Sequence, residues 1–292
     1  MECTFEQYKI FKMVADCNGF GKAAEKLFIS QPAVSQAIKL LENNLEVQLF
    51  IRTQKGTILT QAGKILYKYV DNAFRQLINA ENHLNDLKEL KTGTLNIGAS
   101  DTLCEKYLLK YLNIFHTKFP DIKLNITNRT SGETINLLKQ GYVDIGFVNM
   151  PIVIENNISL KVLKTVTDCF IYNENYFPEA ANIKKIEELN AFPLMMLEDI
   201  SSTRKYLNSY LENKKIYLIP QIELGSHDLL LSFAKIGLGI AAVVKEYSSS
   251  ILELNYMKII ELEEKIPQRN IALIYDKNRE LSFSAKEFIK LL

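Results

Sequence analysis

The chain has 292 residues, 47 % hydrophobic and 24 % charged, with 35 Lys plus Arg against 34 Asp plus Glu and a formal net charge of +1. That length and composition fit a soluble chain of two or three domains with real cores, and the near-neutral balance excludes a global basic field as the means of holding nucleic acid. The opening MECTFEQYKI carries Glu2 and Glu6 and no later segment is long and uncharged, so neither a secretion signal nor a membrane span is expected and the cytoplasm is the expected compartment.

The first informative stretch is FGKAAEKLFISQPAVSQAIKLLE, from Phe20 to Glu42. Ala23, Ala24 and Leu27 suit a short helix that crosses a neighbour closely. Phe28 to Ser30 leaves room only for a sharp turn. Ser30 reads as an N-cap, and Pro32 is tolerated in the first turn of the helix that follows. In that helix Val34, Ala37, Ile38, Leu41 and Leu45 recur at helical spacing and must face a core, whereas Pro32, Ser35, Gln36 and Lys39 share the opposite face. A plain helical hairpin has the same spacing. Two short β-prone runs, Leu49 to Ile51 and Thr57 to Leu59, then flank a basic turn at Arg52, Thr53, Gln54, Lys55 and Gly56, which reads as a wing.

Up to this point the AAEKLFISQPAVSQAIKLLE stretch, the LF-I-R after it and the LTQAG at Leu59 to Gly63 closely resemble the amino-terminal pattern of LysR-type transcriptional regulators. The resemblance covers the winged domain and, less tightly, the rest of the chain. It implies that Gln31, Pro32, Ser35 and Gln36 approach bases and phosphates in the major groove of an operator, with Lys39 beside them and Arg52, Thr53 and Lys55 on the wing. Side-chain chemistry agrees, because glutamine can pair with an adenine edge, hydroxyls serve base or phosphate, and lysine or arginine adds sequence-blind charge. Gln36 stands where the family often has arginine, and Gly21 where it often has Ser or Thr opening the first helix of the pair.

Beyond Thr60 a long helical pattern sets Leu66, Val70, Ala73, Leu77, Ala80, Leu84 and Leu87 alternately four and three residues apart. A heptad seam this narrow calls for a partner helix, and a second copy of the chain is the natural one. Packing on the chain's own downstream domain is the competing reading, and Ile65, Tyr69 and Ile78 offer additional apolar area for it.

After a break at Gly93 the sequence alternates strands and helices: LNIGAS, KLNITN, VDIGFVN, TDCFIYN, FPLMML, QIELGS and IALIYD read as strands. The fold class expected is α/β overall, with a winged helix-turn-helix at residues 1–59, a linker helix at 60–91 and a largely parallel α/β module at 92–292. Four helices begin with hydroxyl or small polar residues just past strand ends, where ligands sit in open α/β sheets. Ser100, Thr102, Ser131, Asn149, Ser202, Thr203, Arg204 and His227 are the effector-contact candidates that result, although each hydroxyl also suits a simple N-cap and Arg204 equally suits bracing its own helix. The resemblance implies two subdomains like those of periplasmic binding proteins, at about 92–163 with 267–292 and at about 164–266. It also implies a homodimer joined by the linker and, through the regulatory modules, a homotetramer.

Cys3, Cys17, Cys104 and Cys169 lie far apart without a C-x-x-C pair, and His83, His116 and His227 have no metal-ligand spacing. Reduced thiols, no metal and no cofactor are therefore expected. The expected function is a DNA-binding regulator, not an enzyme, controlled by a small anion such as a carboxylate at the helix starts. The alternatives are an enzyme acting on a small acid, for which no nucleophile-base pair is evident, and a solute-binding module, which leaves the winged domain unexplained.

Overall fold

A computed structural model describes residues 3–53, 56–88, 93–153 and 155–292. The chain forms two compact units, Met1–Glu81 and Asn82–Leu292.

The first unit begins with helix α1, Phe5–Cys17, whose capping box joins Thr4 and Gln7: the Thr4 hydroxyl accepts from the Gln7 N–H at 3.3 Å and the Thr4 N–H donates to Gln7 Oε1 at 2.8 Å. Helix α2, Phe20–Leu27, has Gly19 at its cap position, so Gly21 lies inside the first turn instead of opening the helix. Ala23 and Ala24 are buried and allow the close crossing. Helix α3, Gln31–Leu45, starts where the Ser30 hydroxyl accepts from the Ala33 N–H at 3.3 Å, and it buries Val34, Ile38 and Leu41 with Phe11 and Leu49. Strands β1, Phe50–Thr53, and β2, Gly56–Leu59, pair antiparallel as the wing. Glu42 of α3 ties the wing to the helix, because its Oε1 accepts from the N–H groups of Leu49 at 2.7 Å and Phe50 at 3.2 Å.

Helix α4, Gln61–Lys88, is 28 residues long, or about 42 Å at the usual rise. Its first turns belong to the winged unit. Val70 is buried and Leu66 packs on the same core, while the buried Asp71 pairs with Lys12 of α1 at 3.0 Å and with Arg75 at 2.9 Å. The seam read from the sequence therefore needs correction at its start. Leu66 and Val70 serve their own domain, whereas Ile65, Tyr69, Ala73, Leu77, Ala80 and Leu84 are exposed and form the strip left uncovered. Ile78 is exposed as well. The Leu87 side chain lies outside the described residues.

In the second unit, a five-stranded sheet has the order β4-β3-β5-β12-β6, built from β3, Gly93–Ala99, β4, Ile122–Asn128, β5, Ile145–Asn149, β6, Ile158–Val166, and β12, Arg269–Asp276. A second has the order β11-β7-β10-β8-β9, built from β7, Asp168–Asn173, β8, Leu194–Leu197, β9, Ile222–Leu224, β10, Ile240–Val244, and β11, Met257–Ile259. Both are mixed. β3 pairs parallel with β4 and β5, and β8 with β9 and β10, but β12 runs antiparallel to β5 and β6, and β7 to β10 and β11. Helices α5, Asp101–Leu103, α6, Leu109–Lys118, α7, Ser131–Gln140, and α11, Phe283–Ile289, accompany the first sheet; α8, Ser202–Glu212, α9, His227–Lys235, and α10, Ser249–Leu252, accompany the second. A π-turn, Cys104–Leu108, joins α5 to α6. The chain crosses from the first sheet to the second between Val166 and Asp168 and returns just before Arg269. β6 and β11 were not read from the sequence, and β10 was not among the seven strands named from it.

Gly63 explains why the LTQAG run ends in glycine. The Thr60 hydroxyl accepts from the Gly63 N–H at 2.9 Å and donates to the Gln48 carbonyl at 2.6 Å, which draws the start of α4 onto Leu49. A Cβ at Gly63 would collide with the Leu49 carbonyl oxygen. Gly63→Ala should cost about 1–3 kcal/mol of winged-domain stability, seen as a lowered melting temperature, despite alanine's better helix propensity. An unchanged or raised melting temperature would show that the backbones can part without penalty.

Candidate functional site

The exposed face of α3 carries Gln31, Pro32, Gln36 and Lys39, with Ser35 half-buried among them. None of the five belongs to the core behind the helix. Arg52 and Thr53 lie on β1 with side chains outside the described residues, as is Lys55 altogether. The arrangement is a short-chained polar helix face beside a two-stranded wing.

In the second unit a cleft of about 450 Å³ opens between the two sheets, lined by Ser100, Thr102, Ser131, Asn149, Ser202 and Thr203 together with Asp101, Arg129, Glu133, Glu198 and Tyr247. Six of the eight effector candidates thus come together. Arg204 and His227 are not among the lining residues. Arg204 is buried behind the wall and braces α8, donating to the Leu197 carbonyl at 2.9 Å, Asn208 Oδ1 at 2.9 Å and Glu223 Oε1 at 3.0 Å. His227 is buried too, and its Nε2 accepts from the Val244 N–H at 3.1 Å. Burial lowers its pKa from the ordinary 6.5 to about 4, so it is a neutral core group. Cys104 also lies off the main cleft, and burial raises its thiol to about 11, which leaves it protonated and unreactive.

Sequence reading missed the group beneath the cleft floor. Arg269, the first residue of β12, is 3 % exposed and donates through Nε and Nη2 to the two carboxylate oxygens of Asp168, at 2.7 and 3.0 Å. Its Nη1 reaches Asn149 Oδ1 at 2.7 Å and its Nη2 also reaches Thr203 Oγ1 at 3.1 Å. Burial pushes the Asp168 carboxyl upward while Arg269 opposes that shift, and the two-pronged geometry is that of an ion pair. Arg269 and Asp168 stand at the two crossings between the sheets, so one guanidinium holds β5, β7 and α8 together. A signal existed in the lone arginine before IALIYD, but nothing in the spacing linked it to an aspartate 101 residues away.

This hub fixes the polarity of the floor. Guanidinium only donates, so the Asn149 carbonyl must face Arg269 and its NH₂ is left for the cleft. The Thr203 hydroxyl oxygen accepts from Arg269, and Ser131 Oγ accepts from the Asn149 N–H at 2.9 Å. The protons of both hydroxyls and of the Asn149 amide have no acceptor among the described residues. Ser201 caps α8 without a side-chain hydrogen bond, which leaves the first N–H groups of that helix without a cap, and Ser202 and Thr203, which carry two of them, line the cleft. α7 differs, because Thr130 and Glu133 close its first turn in a capping box. Ser100 likewise caps α5, accepting from the Leu103 N–H at 3.5 Å. A second link between the sheets' units is the ion pair of Lys106, in the π-turn, with Asp228 of α9 at 2.7 Å.

Fold and sites define a winged helix-turn-helix regulator carrying a ligand-binding α/β module. Residues 5–64 match the family model described as "Bacterial regulatory helix-turn-helix protein, lysR family", and residues 88–292 match the "LysR substrate binding domain". The chain belongs to the LysR family of transcriptional regulators, which bind DNA and are not enzymes. It is 28 % identical over 291 residues to a probable RuBisCO transcriptional regulator of Chlorokybus atmophyticus, covering 98 % of this chain and 93 % of that protein. The corresponding protein of Trichormus variabilis is 28 % identical over 292 residues, covering 98 % and 86 %. Among solved structures, full-length CbnR complexed with its target DNA superposes with a TM-score of 0.70 at 18 % identity, covering 99 % of this chain and 98 % of that one. Full-length OxyR C199D from Pseudomonas aeruginosa gives 0.68 at 19 %, covering 100 % and 93 %.

The buried histidine has a pH consequence. Its folded pKa, about 4, lies below the ordinary 6.5, so the unfolded chain takes up the proton first. His227's contribution is therefore complete above pH 6.5 and is lost as pH falls toward 4, by at most roughly 3 kcal/mol. His227→Gln should flatten the fall in melting temperature between pH 7 and pH 5 relative to the parent. Parallel pH profiles would contradict a neutral buried imidazole.

Proposed function

We propose that this regulator reads its operator through Gln31, Pro32, Ser35, Gln36 and Lys39 of α3, with Arg52, Thr53 and Lys55 on the wing, and that a small carboxylate-bearing metabolite in the cleft sets its action on DNA. The observation that carries the effector reading is the floor of the cleft, where Asn149, Ser131 and Thr203 have protons to give and α8 begins with unsatisfied N–H groups. A carboxylate accepts all of these, and the positive end of the helix dipole favours its charge. Because the floor draws on both sheets, a ligand there favours one arrangement of the subdomains over another, which is how binding biases the DNA-bound assembly.

On this reading the protein works in the cytoplasm as a homodimer joined along the exposed α4 strip, and as a homotetramer through a second contact of its regulatory modules. The exposed Leu109 and Ile114 on α6 and Leu229 on α9 supply apolar area for that second contact.

Two measurements test the proposal. Gln36→Ala should lose about 1–3 kcal/mol on the preferred operator and relax preference at one step of each half-site, whereas Lys39→Ala should weaken all sequences alike and reduce the salt slope by about 1. Equal losses for Gln36→Ala on operator and random DNA would remove its reading role. Leu77→Glu should place a charge in the α4 strip and shift sedimentation toward monomer, with operator affinity falling in parallel. A variant that sediments like the parent would put the dimer contact elsewhere.

A further inference from the structure

The charges around the cleft do not suit a bare anion. Its lining holds three carboxylates, Asp101, Glu133 and Glu198, against one guanidinium, Arg129. Two of the carboxylates are already engaged. Glu133 accepts from the N–H and hydroxyl of Thr130 at 3.0 and 2.8 Å and feels the charge of Arg129, and Asp101 accepts from the Asn128 amide. The Glu198 carboxylate has no hydrogen-bond or ion-pair partner among the described residues. Its backbone N–H is fixed to the Leu224 carbonyl at 3.0 Å, and its carboxylate lies beside Gly225, where an added Cβ would sit 3.6 Å from Oε2. The cleft therefore presents two opposite demands. Its floor offers protons through Asn149, Ser131 and Thr203, of which Asn149 and Ser131 are more than nine-tenths buried. Its wall offers an unpaired negative charge.

We propose that the effector is a small zwitterion of the amino-acid class, its carboxylate on the floor formed by Asn149, Ser131 and Thr203 and its ammonium group at Glu198. The inference rests on the carboxylate reading above and adds the cationic group. Cost and benefit balance for such a ligand: the ammonium offsets the excess of carboxylates that would repel a simple acid, and the floor supplies the acceptor-seeking donors. A cavity of about 450 Å³ falls within the usual range for small-molecule sites, about 300–1,000 Å³.

The test uses the full-length chain and a panel of L-amino acids, each accompanied by its desamino acid and its carboxyl amide, read by ligand-induced melting shift and then by calorimetric titration. At least one amino acid should raise the melting temperature while both of its partners fail to. Glu198→Gln should melt like the parent without ligand and bind that amino acid about ten-fold or more weakly, through loss of a charge-assisted contact. If desamino acids bind as tightly as the amino acids, or if Glu198→Gln leaves the affinity unchanged, the zwitterion is wrong and the carboxylate reading survives. If carboxyl amides bind as well as the free acids, or no member of the panel binds, the carboxylate reading falls and the zwitterion with it.

Discussion

The buried ion pair of Arg269 with Asp168 is the interaction on which the regulatory module depends. Both residues are almost fully out of water, and an unpaired charge there would cost several kcal/mol, so neither can be lost without disturbing the other. They stand at the two points where the chain passes between its sheets. The guanidinium gives two further N–H groups to Asn149, at the end of β5, and Thr203, in the first turn of α8. A single side chain thus ties the ends of elements from both sheets to one position under the cleft.

That tie also decides what the cleft can recognise. An arginine cannot accept a hydrogen bond, so every group bonded to it must turn an oxygen inward and leave its protons elsewhere. The Asn149 amide is oriented by this rule, and its backbone N–H in turn occupies Ser131 Oγ. The chemical preference proposed for the effector is therefore imposed from beneath by a residue that does not line the cleft. On the proposed function the same position is the route for regulation, because a ligand on this floor would compete with or reinforce contacts that hold the two sheets' units together. At the other end of the chain the division of labour is simpler. The Lys12–Asp71 pair and the burial of Val70 attach α4 to the winged unit, and an adjacent strip of the helix, from Ile65 and Tyr69 to Leu77 and Leu84, is left apolar and exposed.

Much of this was legible in the sequence because local rules dominate it. The Ser30 cap, the buried Val34, Ile38 and Leu41, and the hydroxyls at the cleft all follow from helix starts and helical spacing. The parts that were missed depend on contacts distant in sequence. Leu66 and Val70 belong to the heptad spacing, yet α1 and Lys12 claim that side of α4, so the free strip is displaced to Ile65 and Tyr69. β6 escaped notice because it is an edge strand with Lys161 and Lys164 exposed or half-exposed along it, a pattern that suppresses further pairing and weakens the alternation. β12 begins at Arg269, two residues before the apolar IALIYD run, and its partner Asp168 read only as part of another strand. Arg204, by contrast, had two open roles in the sequence, and the carbonyl of Leu197 and the carboxylate of Glu223 account for its guanidinium.

The most direct measurement is a crystal structure of the full-length protein with a stabilising small acid bound. The account predicts carboxylate oxygens within about 3 Å of Asn149 Nδ2 and of the Ser131 or Thr203 hydroxyl, with Arg269 still paired to Asp168 beneath them. A ligand that presents a donor to Asn149, or one seated away from this floor while Arg269 and Asp168 remain paired, would contradict it.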